Sequence, residues 1–184
     1  HGALDATLPG RRRFDAAVAA LLAAAGPSSG AAPGGQADKE TKAKPGMVVL
    51  SSDPADDEAT AVAAVLAHCG KAQSAGLAQA GVFMLADCDK LADAEEAAVI
   101  KDAIAVVAVL TAGSLGSAAQ LRALTRGVKR AEDAPGAFQL VPVATPAFRA
   151  PSDAEMDERL PAVPDAGTPE VKRCLKKFFN MVSV

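Results

Sequence analysis

From Met47 onward the chain alternates short, continuously apolar runs with longer stretches of helical periodicity. The runs are residues 47–51 (MVVLS), 81–85 (GVFML), 105–111 (AVVAVLT) and 139–144 (QLVPVA). None alternates apolar with polar positions, so each predicts a strand covered on both faces, the condition of a parallel sheet. The intervening stretches predict helices that return over the sheet in right-handed crossovers. Pro142 has no N–H to give to a ladder, which places the last run at a sheet edge.

Helix starts are marked by side chains that satisfy free backbone N–H groups. Asp53-Pro54-Ala55-Asp56 predicts a cap at Asp53, proline at the first helical position, and acids in the first turn. Asp93-x-x-Glu96, Ser117-x-x-Gln120 and Ser152-x-x-Glu155 read as capping boxes. In the second of these the Gln120 amide would reach back to the Ser117 N–H. Thr168-Pro169-Glu170 opens a final helix whose apolar stripe is Val171, Cys174, Leu175, Phe178 and Phe179. Asp56, Asp57 and Glu58 read as first-turn acids, and Asp87 and Asp89 as loop acids.

The first 46 residues have a different pattern. Residues 26–46 (GPSSGAAPGGQADKETKAKPG) keep no hydrophobic period and read as a linker. Residues 1–25 form an arm whose RRRFDAAVAALLAAAG stretch superficially matches a basic leader followed by an apolar core. Asp15 inside that core favours an Ala-rich amphipathic helix instead, with Phe14, Val18, Leu21 and Leu22 on one stripe. A start at His1 rather than Met suggests a processed or excerpted chain. The expected architecture is α/β: a flavodoxin-like doubly wound parallel sheet of four to five strands over residues 47–184, preceded by an N-terminal helix and linker.

Folds of this class bind ligands at the carboxyl ends of the strands, where strand order reverses. The candidate rim is Ser52, Asp53, Asp87, Thr111, Gly113 and Ser114, flanked by Ser51 and Thr145. Gly113 and Gly116 read first as turn residues. As a phosphate cradle they lack the lysine of G-x-x-x-x-G-K-[ST].

Composition narrows the chemistry. The formal net charge is −3 and aromatic content is 3%, with no Trp or Tyr. Neither a basic footprint nor stacking platforms for nucleic acid are expected. Three cysteines, Cys69, Cys88 and Cys174, stand apart with no C-x-x-C, which implies a reducing, intracellular compartment, organelles included. His68-Cys69 has no second pair to complete a metal site, so neither metal nor cofactor is expected. No run is long and apolar enough to cross a membrane. Residues 1–46 carry six Lys/Arg against four Asp/Glu and are mildly basic beside an acidic remainder. That arm is the expected contact to protein partners, including other subunits of an assembly.

Two families share features with these residues. VAVLTAGS, with Asp87 ending a strand, looks like the Thr/Ser segment of phospho-acceptor receiver domains. Those domains also need paired acids after the first strand and a lysine after the last, where this chain reads LSSDP and VATPAF. The stronger resemblance is to divergent TIR (Toll/interleukin-1 receptor) domains. It is carried in order by MVVLSSDPADDEATAVAAVLAHC, AEEAAVIKDAIAVVAVLTAGSLGS, AAQLRAL and QLVPVATPAFRAPSDAEMDE, across residues 47–184. The resemblance implies a flavodoxin-like fold and work by contact through helix faces and the loop after the second strand, here Asp87, Cys88, Asp89 and Lys90. Enzymatic members cleave NAD with a glutamate at the start of the helix after the third strand. The matching position here is Gln120, and small residues replace the adjacent Trp-Cys pair. An amide cannot act as a general base. The resemblance therefore implies a non-catalytic interaction or accessory module, with NAD hydrolysis or nucleotide binding through another rim acid, such as Asp53 or Asp87, as the alternative.

Overall fold

The computed structural model describes residues 47–73, 81–85, 92–163 and 166–182. The arm and linker, and the Asp87–Lys90 loop, lie outside the described residues. Within them the chain runs β1 (Val48–Ser51), α1 (Asp57–Gln73), β2 (Val82–Met84), α2 (Asp93–Asp102), β3 (Ala105–Leu110), α3 (Ala118–Asp133), β4 (Gln139–Ala144), α4 (Asp153–Arg159) and α5 (Pro169–Val182). Single 3-10 turns at Ser114–Gly116 and Leu160–Ala162 lead into α3 and out of α4.

All four expected strands form, and all pair in parallel in the order β2-β1-β3-β4. This is a flavodoxin-like α/β sheet of four strands, with its order reversing between β1 and β3. β1 and β3 are buried along their whole length, as their unbroken apolar sequences require. β4 is an edge strand, and Pro142 sits opposite Ala108 where a missing N–H can face away from the ladder.

Side chains alternate between the faces. Val48, Leu50, Val107, Val109 and Val143 meet Ala59, Ala63 and Leu66 of α1. On the other face Val49 and Val106 meet Val99 and Ile100 of α2. Ala108 and Leu110 meet Leu121 and Leu124 of α3, Met156 of α4, and Leu175 and Phe178 of α5. Phe148, Phe178 and Phe179 form a ring cluster under α5, with centroids 5.9 Å and 5.4 Å apart for the two pairs that share Phe179. Gly127 lets α3 lie close on β4, since a Cβ there would stand 3.0 Å from Leu140 Cδ1.

Ion pairs join the helices of the thicker layer. Glu96 of α2, buried at 6% exposure, pairs with Arg126 Nη1 of α3 at 2.6 Å. Asp93 also receives Arg126, which holds its carboxyl below the usual range. Glu132 of α3 accepts from Arg173 at 3.0 and 3.3 Å and from Lys177 at 2.9 Å on α5. Lys172 and Lys176 of α5 pair with Asp157 and Asp153 of α4.

Two helix starts differ from the sequence expectation. Asp53 does not cap α1: it closes a turn, accepting Ala55 N–H at 3.1 Å through Oδ1 and Asp56 N–H at 3.2 Å through its carbonyl. The helix begins after Asp56, whose Oδ1 accepts Ala59 N–H at 3.1 Å. Asp56 wins because its other oxygen is anchored on β3, a tertiary contact that local pattern cannot display. In α2, Glu95 rather than Glu96 reaches back, accepting Ala92 N–H at 2.9 Å. Glu96 is drawn inward by Arg126 instead. The Ser152/Glu155 box forms as expected, with bonds of 3.3 and 2.7 Å. Thr168 caps α5 by accepting Val171 N–H at 3.3 Å.

Candidate functional site: the carboxyl rim of the sheet

β1 ends at Ser51, in register with Ala108, so β3 runs on past it to Leu110. The rim is built around that step. Thr111 continues the α1-facing series of β3 and donates its hydroxyl to Asp56 Oδ2 at 2.5 Å. This bond, followed by the Ala59 N–H, holds the Asp56 carboxyl below its ordinary pKa. The chain then turns sharply: Ser114 N–H donates to the Thr111 carbonyl at 3.2 Å, and Ser114 Oγ accepts Thr111 N–H at 2.9 Å.

Gly113 sits at the centre of this turn. A Cβ on it would lie 3.3 Å from Asp56 Oδ2, 3.4 Å from Asp53 Oδ2 and 3.8 Å from Thr111 Oγ1. The two carboxylates therefore converge on one small region of backbone, and a larger residue would press on both. The rim residues Asp53, Thr111, Gly113 and Ser114 are brought together. Ser52 lies beside them but buried, at 3% exposure. Asp87 lies outside the described residues. The residue that sequence reasoning left out of the rim is Asp56; its place two residues past Pro54 gave it a helix-start role, and no local signal tied it to Thr111.

The Gln120 side chain departs from its expected contact. Ser117 Oγ does accept the Gln120 N–H, at 3.4 Å, which caps α3. The amide does not return to the Ser117 N–H. It points into the core at 1% exposure and donates Nε2 to the Val109 carbonyl at 2.6 Å. Gln120 thus serves a strand carbonyl near the point where β3 loses its neighbour β1. The Oε1 atom of Gln120, and the hydroxyls of Ser51, Ser52 and Thr145, are buried without a hydrogen-bond partner. The rim is accordingly the most polar part of an otherwise aliphatic core.

A cavity of about 160 Å³ lies elsewhere, along α3 and the start of α5, lined by Leu121, Arg122, Thr125, Arg126, Lys129 and Val171. Among the described residues no group of three or more His, Cys, Asp or Glu side chains could hold a metal ion, and no helix is long and apolar enough to cross a membrane. No family model, curated protein or solved structure matches the chain.

Proposed function

We propose that the chain is a non-catalytic, TIR-like interaction or accessory module, working by contact rather than by turnover. The observation that carries this reading is the Gln120 amide, buried and bonded to the Val109 carbonyl where the resembling enzymes would need a solvated carboxylate. The rim acids are also engaged in structure: Asp53 closes a turn, and Asp56 caps α1 while receiving Thr111.

The enzyme alternative keeps one supporting observation, the convergence of Asp53 and Asp56 on Gly113. Incubation of the full chain with NAD, with nicotinamide followed by chromatography, separates the two. The expected result is no release above the protein-free rate for the native chain. Release that disappears in Asp53→Asn or Asp56→Asn, and survives in Gln120→Ala, would establish the enzyme reading.

A further inference from the structure

The cavity beside α3 is lined on its apolar part by Leu121 of α3 and Val171 of α5, and the short side chains of Ala118 and Ala166 leave its space unfilled. Thr125 adds its methyl group, because its hydroxyl is spent on the Leu121 carbonyl, to which it donates at 2.8 Å. The volume of about 160 Å³ is that of a space for one small apolar body. A dry apolar cavity of about 150 Å³ accepts a benzene ring.

Three cations of α3 line the same cavity: Arg122, Arg126 and Lys129. Spacings of four and three set them along one side of the helix. Two of them are engaged. Arg126 donates to Asp93 and pairs with Glu96 at 2.6 Å. Lys129 pairs with Glu170 at 2.8 Å. Arg122 differs from both. Its Nε stands 3.8 Å from Asp93 and 3.7 Å from Glu96, beyond hydrogen-bond reach, because Arg126 holds those carboxylates. Among the described residues Arg122 makes no hydrogen bond, and its Nε is buried without a partner.

We propose that this cavity binds a small monocarboxylate with an apolar body of about six carbons, an aryl or branched-chain acid. Its carboxylate pairs with Arg122, and its body lies against Leu121, Thr125 and Val171. A planar guanidinium fork matches a carboxylate in both shape and charge. A neutral apolar guest would leave that fork as unpaired as before. A phosphate calls for several free donors, and here a single arginine offers them while the remaining wall is apolar. The inference is independent of the TIR-like reading, since the cavity shares no residue with the carboxyl rim.

Benzoate is the probe, with benzamide as its uncharged isostere, each titrated into the full chain and followed by NMR. Benzoate should shift the Leu121, Thr125 and Val171 resonances saturably, with a Kd of about 1 mM or tighter, ordinary for so small a ligand. Benzamide should bind about tenfold or more weakly, and Arg122→Gln should weaken benzoate by the same factor, the loss of a charge-assisted pair. Arg126 still holds Glu96 in that variant, so its fold should survive, with the Val107 and Val109 amides unmoved. Val171→Phe is the second variant: it fills the cavity, keeps Arg122, and should abolish the benzoate shifts. Absence of saturable shifts in the native chain overturns the proposal. So does a smaller loss with benzamide or Arg122→Gln, or benzoate binding that survives in Val171→Phe.

Discussion

Gln120 donates to the Val109 carbonyl from a position with 1% exposure, and a carboxylate there could not donate at all. Gln120→Glu should therefore destabilise the fold by about 1–3 kcal/mol at neutral pH, the cost of a buried acceptor left unpaired. The penalty should shrink in acid. A buried carboxyl binds its proton more tightly folded than unfolded, so stability falls as pH rises, and a protonated Glu can donate to Val109 again. Urea midpoints at pH 5 and pH 8 measure this. Asp56→Ala removes the α1 cap and leaves the Thr111 hydroxyl without its acceptor, and should cost about 2 kcal/mol. Thr111→Val in the Asp56→Ala background should restore part of the loss. The Ser117 cap was legible in sequence because both its atoms lie within one turn. The Gln120–Val109 bond was not, because it depends on where β1 stops relative to β3. The same distinction moved the α1 cap from Asp53 to Asp56.

Elements were far more legible than their contacts. The four strands follow from unbroken apolar runs, and Pro142 placed β4 at the edge correctly. What joins α2 to α3 was invisible: Glu96 looked like a capping acid until Arg126, thirty residues on, drew it inward. Arg126→Met should destabilise by about 1–3 kcal/mol, because buried Glu96 then keeps only its longer pairing with Arg122, at 3.7 Å. The double variant with Glu96→Leu should recover much of that in a double-mutant cycle. Between α3 and α5, Arg173 and then Lys177 hold Glu132 down to a pKa of about 2, from 4.5. A depressed carboxyl contributes stability that is complete above its unfolded pKa and is lost as pH falls through the folded one. Glu132→Gln should therefore lower the denaturation midpoint at pH 7, with the difference narrowing between pH 4.5 and pH 2.

At the scale of the molecule, the sheet carries four helices on one face and one on the other among the described residues. Sequence periodicity assigns each helix an apolar stripe but not a face of the sheet, so this imbalance emerged only with topology. The carboxyl rim lies where the fold class predicts, at the β1/β3 reversal, and Asp53, Asp56, Thr111, Ser114 and the Gln120 Nε2 are tied to one another or to the backbone. The central claim is that this rim is structural, with the Gln120 amide fixed on Val109. The most direct measurement is hydrogen exchange of the Gln120 side-chain amide by NMR, in the full chain with and without NAD. The account predicts a strongly slowed amide proton, unmoved by NAD. Exchange at the rate of a free glutamine, or a Gln120 resonance that shifts as NAD is added, would contradict it.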